Sequence, residues 1–434
     1  MKTNGKVHDY DHIAIAYQGG GSLGAYHVGA LDAMQQANYA DYTPDVVSGI
    51  SIGAFTAAIV AGNESARRVP KLKEFWDLIS RPDFPPVTEG EGWMRKWHNL
   101  VSSWQGFVFG QPAFFRPRPF PAPLFQVCGS PAATSYYDTS ALLDTLPKVV
   151  DFDRINRRAT RLILGATRVR DGAPAWFDNF EQKLGPEHVL ASGAMPPGFP
   201  GIQIEGELYW DGGCYSNTPL EGIYDRLRDQ GDTLCFVIDL FGPNGREPQD
   251  MDEVNLTIKE IQFSNRIKNR IRAISELHNY AHFFRHILQN HPEAIADHPH
   301  RDQIRKLMNV GRFDFIHILY QKPGSEVATC DCEFSRTSIE NRRRQGYSDM
   351  KKALDERAER APERRLAREI APVGSVVETF AKGICVKSSF NSAQALSATR
   401  PQGAAPAKDL TSSRARNKAA KAPRPRVPIG VAGK

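Results

Sequence analysis

Two serines in this chain stand between glycines in a pattern suited to nucleophilic chemistry. Gly49-Ile50-Ser51-Ile52-Gly53 follows the apolar run Asp45-Val46-Val47-Ser48 and opens a second one, Ala54-Phe55-Thr56-Ala57-Ala58-Ile59-Val60. The first run predicts a buried strand and the second a helix. A G-x-S-x-G turn in that context is a nucleophile elbow, so tight that small residues must flank the serine, here Gly49 and Gly53. The turn lifts the hydroxyl out of the sheet, at the positive end of the following helix. Gly20-Gly21-Ser22-Leu23-Gly24 repeats the pattern after the strand-like Ile13-Ala14-Ile15-Ala16-Tyr17. Through Gly19, Gly21 and Gly24 the same segment also spells the G-x-G-x-x-G dinucleotide fingerprint. A dinucleotide site needs an acid at the end of the next strand, about 20 residues on. Asp41 and Asp45 have that spacing but precede Val46-Val47, at the wrong end of the strand. The segment also reads as an oxyanion loop, with the backbone amides of Gly19, Gly20 and Gly21 converging on one spot beside a helix N-terminus. A plain strand-to-helix turn would rarely require three consecutive glycines, which lose much chain entropy on ordering.

A base for such a serine is available at Trp210-Asp211-Gly212-Gly213. Asp211 follows a strand-like run and precedes two glycines. By composition it reads equally as a turn former or as a general base oriented by the glycine turn. The α/β-hydrolase order Ser, then acid, then His is also open, because His278, His282, His286, His291, His298, His300 and His317 all follow Asp211. That fold builds several strands before its nucleophile, whereas Ser51 follows two. Most of these histidines fall in a helical, charge-rich stretch suited to solvated or packing roles, and His317 in the strand-like 313–319.

Gly19-Gly20-Gly21-Ser22-Leu23-Gly24, Gly49-Ile50-Ser51-Ile52-Gly53, Ala191-Ser192-Gly193-Ala194-Met195-Pro196 and Asp211-Gly212-Gly213 occur in this order. In order and approximate spacing they resemble the blocks of the patatin-like phospholipases, bacterial-type lipid acyl hydrolases, over roughly residues 10–240. The resemblance implies a Ser51–Asp211 dyad, an oxyanion site at Gly19, Gly20 and Gly21, and lipid or related ester substrates. It also implies an α/β three-layer fold with a mainly parallel central sheet and helices on both faces. One position departs from the family pattern: Leu23 stands where Arg or Lys is frequent. Backbone amides supply the oxyanion donors, so Leu23 leaves them in place.

The elements that must hold these residues alternate between strand and helix signals up to residue 240, which favours a parallel sheet. A chain of 434 residues accommodates a catalytic domain over 10–240, an extension over 241–389 and a tail over 390–434. Within the first, residues 81–135 form an aromatic, proline-rich insertion containing Trp93, Trp97, Trp104 and the run 114–125. In the run 114–125 proline recurs too often for a regular helix or a central strand. The insertion reads equally as a lid or interfacial surface and as ordinary core outside the sheet. In the extension, 253–290 has helical apolar spacing with many basic residues, 313–320 predicts a strand added to the same sheet, and 336–360 a highly charged helix. Residues 391–434 carry nine Lys/Arg and one acid, net +8 against +6 for the whole chain, so the preceding 390 residues carry −2. A tail so rich in Ala, Pro and Ser is expected to be disordered. Its charge allows peripheral contact with anionic membrane, or no dedicated partner at all. The balanced body argues against a specific nucleic-acid partner. No run approaches a membrane span, the N-terminus lacks a secretory apolar core, and six scattered cysteines fit reduced thiols, so a cytoplasmic location is expected. Cys330-Asp331-Cys332 is too tight for ordinary zinc ligation and reads as a loop, and neither metal nor organic cofactor is implied. The reading that results is a serine acyl hydrolase; the alternative is a non-catalytic lipid- or nucleotide-binding protein on the same scaffold.

Overall fold

The computed structural model describes residues 10–36, 43–86, 92–119, 123–243, 245–359, 377–381 and 384–388. The apolar run ahead of the glycine triplet is a buried strand, β1 (His12–Tyr17), and the run ahead of Ser51 is β2 (Val46–Gly49). Two short strands follow, β3 (Arg116–Pro117) and β4 (Tyr137–Asp138), paired with each other apart from the main sheet. The remaining strands are β5 (Arg161–Arg168), β6 (Pro174–Asp178), β7 (Ile202–Ile204), β8 (Glu207–Asp211), β9 (Thr233–Asp239), β10 (Phe313–Leu319), β11 (Val377–Ala381) and β12 (Ile384–Ser388). The described residues form a sheet in the order β12-β11-β10-β9-β1-β2-β5-β8-β7, with β6 also on β5. Pairing is parallel from β11 to β5 and antiparallel at both ends.

Helices cover both faces because the central strands are apolar on both. Those helices are α1 (Ala25–Met34), α2 (Ile52–Ala61), α3 (Ser65–Ile79), α4 (Trp93–Phe109), α5 (Ala141–Val149), α6 (Phe152–Asn156), α7 (Pro186–Ser192), α8 (Leu220–Leu227), α9 (Met251–Asn290), α10 (Arg301–Met308) and α11 (Arg336–Glu359). Side chains alternate across a strand. Ile13, Ile15 and Tyr17 of β1 therefore join the core under α1, α2, α3 and α11. Ala14 and Ala16 join the opposite core, under Ile223 and Leu227 of α8 and Ile267, Ile271 and Ile274 of α9. This is the three-layer arrangement with a mainly parallel sheet that the motif order implied. The extension continues it: Phe313–Leu319 runs beside Thr233–Asp239 in parallel register. The antiparallel pair formed by β11 and β12 carries no signal strong enough to have been read from sequence. The 390–434 tail falls outside the described residues.

The insertion divides between the two readings open to it. Phe114 and Phe115 are buried and pack with Phe55 of α2 and with Phe199. Trp93, Trp97 and Trp104 of α4 are exposed. Among the described residues no helix is long and apolar enough to cross a membrane.

Candidate active site

β2 ends at Gly49 and α2 begins at Ile52, so Ser51 occupies the turn between them. Its backbone takes φ 55° and ψ −130°, a conformation that costs a residue with a side chain about 1–3 kcal/mol. The surroundings enforce it. The Ser51 amide donates to the Ser192 carbonyl at 3.0 Å, and the flanking glycines allow the turn to close. A Cβ on Gly53 would lie 2.1 Å from the Tyr17 carbonyl oxygen, and one on Gly49 2.1 Å from the carbonyl oxygen of Gly53. Ser51 itself is only half-buried.

Asp211 ends β8 and is completely buried. It sits opposite Ala166 of β5, and the Thr167 hydroxyl donates to its backbone carbonyl at 2.9 Å. Its Oδ1 accepts the Gly213 amide at 2.7 Å. Its Oδ2 closes no hydrogen bond of good geometry among the described residues, yet the Ser51 hydroxyl lies near enough to influence the carboxyl. Burial pushes this carboxyl up from 3.8 to about 7, while the Gly213 amide and the Ser51 hydroxyl pull it down.

The segment Ala191–Pro200 stitches these two residues together. The Ser192 carbonyl takes the Ser51 amide, and the Ala194 carbonyl takes the Asp211 amide at 3.0 Å. The Ser192 hydroxyl is spent on the Gly165 carbonyl at 2.6 Å. The glycine loop approaches from the end of β1, where a Cβ on Gly19 would lie 2.9 Å from that of Ser51 and 2.3 Å from Asn217 Oδ1. Asn217 clasps Gly19 twice: its Nδ2 donates to the Gly19 carbonyl at 2.8 Å, and its own carbonyl accepts the Gly19 amide at 3.1 Å. The Gly19 amide is already engaged, so the loop donors that find no acceptor among the described residues are those of Gly20 and Gly21.

The rival nucleophile is committed elsewhere. Ser22 is buried, donates to the Cys330 carbonyl at 2.6 Å and accepts from Arg342 Nη1 at 2.8 Å. The buried Arg342 of α11 also pairs with Glu326 at 3.0 Å and Glu333 at 3.6 Å. His317 is no partner for Ser51. It shares a row with Val237, Ala16 and Ser48, three strand spacings or about 14 Å from β2, and bonds Asp239 at 3.1 Å. His27, against Thr56 of α2 at 3.3 Å, is held neutral by burial, which lowers it to about 3. Asp45 precedes β2, at the opposite end of the strand from the glycine loop, and its carboxylate accepts the Ile13 amide; Asp41 lies outside the described residues. Cys330–Cys332 is a short 3-10 turn, and among the described residues no three His, Cys, Asp or Glu side chains gather as a metal site.

Sequence reasoning missed Asn217, Ser192 and Arg342 as residues that shape the site. Asn217 and Ser192 lie inside motif blocks and were within reach. Arg342 carried no signal, being one of several arginines on a charged helix.

The fold and the site together define a class. The model of the patatin-like phospholipase family matches residues 15–224, and a second model, DUF3734, described as patatin phospholipase, matches residues 261–365. The chain belongs to the patatin-like phospholipase family, and that membership supports lipid acyl hydrolase activity in general and lipids as the substrate class. Among solved structures, a crystal structure of VipD from Legionella pneumophila is similar at 14% identity over 80% of this chain and 67% of that one, with a TM-score of 0.32. No curated protein matches.

Proposed function

We propose that the protein hydrolyses carboxyl esters of lipids through a Ser51–Asp211 dyad. The observation that carries this reading is a strained, half-buried serine whose hydroxyl neighbours a buried carboxyl, one that burial pushes up towards the neutral range. Ionised Asp211 accepts the Ser51 proton as Oγ attacks the acyl carbonyl. The Gly20 and Gly21 amides, with the N-terminus of the short turn that follows, stabilise the oxyanion. Collapse of the tetrahedral intermediate breaks the ester C–O bond, and Asp211 returns the proton to the leaving alkoxide. Water, deprotonated by the same carboxylate, then attacks the acyl-enzyme and releases the carboxylic acid with Ser51 restored. Every proton taken by Asp211 is given back within the cycle, so the dyad needs no third member. The free thiols of Cys128, Cys214, Cys235, Cys330 and Cys332 fit a reducing, cytoplasmic setting for this chemistry.

A fluorophosphonate probe tests the assignment. Wild type and Ser22→Ala should be labelled, and Ser51→Ala should not. Short-chain ester turnover should fall by several orders of magnitude in Ser51→Ala, to what binding and the oxyanion donors sustain. An unlabelled, inactive wild type would instead support a non-catalytic lipid-binding protein.

A further inference from the structure

The helix α4 is built inside out. Apart from Gly106, its buried positions are polar: Arg95, His98, Asn99, Ser102 and Ser103. They are fixed there by hydrogen bonds, Asn99 Nδ2 to the Ser325 carbonyl at 3.0 Å, Ser102 to Glu333 at 2.6 Å and Ser103 to the Thr329 carbonyl at 3.2 Å. The opposite face is apolar and open to solvent. Trp93, Trp97, Leu100, Trp104, Phe107 and Val108 are all exposed, Trp93 by 78% and Trp104 by 62%. At 100° per residue they fall within an arc of about 100°. An ordinary surface helix turns such a stripe into the core. Here the buried polar bonds prevent the helix from rolling over, because each would be left unsatisfied.

We propose that this face docks on a phospholipid bilayer and seats the active site on the lipid surface; the second half of this statement rests on the lipid hydrolase reading above. Three features select lipid as the occupant. Tryptophan and phenylalanine are the residues that settle at a bilayer interface, and the face holds three of the chain's six tryptophans. The 17 residues of α4 include no Asp or Glu. The C-terminal end of the helix is flanked by arginines. Arg81 donates to the Phe109 carbonyl at 3.1 Å, and Arg116 and Arg118 lie on and just after the adjoining β3. Among the described residues no carboxylate pairs with these three, which suits them to lipid phosphates.

The face is also continuous with the catalytic region. The Tyr137 hydroxyl donates to the Phe107 carbonyl of α4 at 2.9 Å. The Tyr136 and Tyr137 amides donate to the Pro197 and Gly198 carbonyls at 3.2 and 2.9 Å. These belong to the segment that holds both Ser51 and Asp211.

The test uses the full chain carrying Ser51→Ala, so that binding is read without turnover. Cosedimentation with phosphatidylcholine vesicles, with and without phosphatidylglycerol, is compared between this protein and the same protein carrying Trp97→Asp and Trp104→Asp. Binding should fall about tenfold or more on both vesicle types. The loss should persist in 1 M salt, where the screening length is roughly 3 Å and any contribution of the basic tail is suppressed. Leu100→Asp serves as a second variant, and circular dichroism melting confirms that each is folded. In the Ser51 background, the paired tryptophan variant should hydrolyse a soluble short-chain ester at the wild-type rate and vesicular lipid more slowly. Undiminished vesicle binding by both folded variants would overturn the proposal. So would a dimer that the substitutions dissociate, with no vesicle binding by either form, which would assign the face to a second copy. Intact vesicle binding with no hydrolysis of any ester would keep the docking surface and remove the enzyme reading.

Discussion

In the proposed dyad Asp211 serves as the base, yet it is buried where a carboxylate is costly. With burial pushing its pKa up to about 7, ester turnover by the proposed dyad should rise with pH through about 7, as the carboxyl ionises in the free enzyme. A kcat/KM profile should show that limb, and Asp211→Asn should lower activity almost as far as Ser51→Ala, with the double variant little worse than either. Stability should move the other way. The folded carboxyl holds its proton between about pH 4 and 7 while the unfolded one has lost it, so over that window stability falls as pH rises. The shift from 3.8 to about 7 corresponds to at most roughly 4 kcal/mol at pH 8. Asp211→Asn keeps the shape without the charge and should therefore raise Tm above pH 7 while leaving it little changed near pH 4. A lower Tm at pH 8 would show that the carboxylate is stabilised in the fold. The positions of Ser51, Asp211 and the glycines were legible because a tight turn admits few residue types. The clasp of Gly19 by Asn217 was not, since the partner lies almost 200 residues away in sequence.

At the scale of elements, α11 reaches from the extension to the back of the glycine loop. It lies on α1 with the backbones in contact: a Cβ on Gly29 would fall 1.8 Å from the Arg343 carbonyl oxygen, and one on Gly346 2.1 Å from that of Tyr26. Arg342 pairs with both Glu326 and Glu333 in a buried cluster and donates to the Ser22 hydroxyl. Arg342→Met would leave two buried carboxylates without their cation and should cost about 3–5 kcal/mol in denaturant unfolding. Ser22→Ala, losing a hydroxyl from the same cluster, should cost about 1 kcal/mol. Equal, small losses in both would mean that the cluster is not energetically coupled. Helical periodicity announced a charged helix over 336–360 but gave no sign that one arginine turns inward. The stripe on α4 shows the same limit. Spacing reveals that a helix has an apolar face, and only the partners on the other face reveal which way it points.

At the scale of the whole molecule, the family-matched span 15–224 stops short of a structural boundary. β1 needs β9, and β9 needs β10. A chain ending at residue 240 would expose Thr233–Asp239 as an apolar open edge, the kind of strand that templates aggregation. It should be recovered as an insoluble or non-cooperatively melting product. Deleting 391–434 is expected to behave differently, with soluble-ester turnover nearly unchanged and binding to anionic vesicles weakened at low salt only. A truncated chain that hydrolyses the soluble ester more slowly would tie the tail to the catalytic body.

The position of β1 in the middle of the sheet also sets a timetable. One side of this strand finds β2 within some thirty residues of chain, but the other waits for residues 233–239. At synthesis rates of about 5–20 residues per second, that interval is roughly 10–45 s. Throughout it, the strand that leads into the glycine loop has a bare edge on the ribosome. The nascent chain therefore passes through a long stage in which a buried central strand can find a wrong partner, and its yield in a cell should depend on chaperones that shield that edge until the second half emerges.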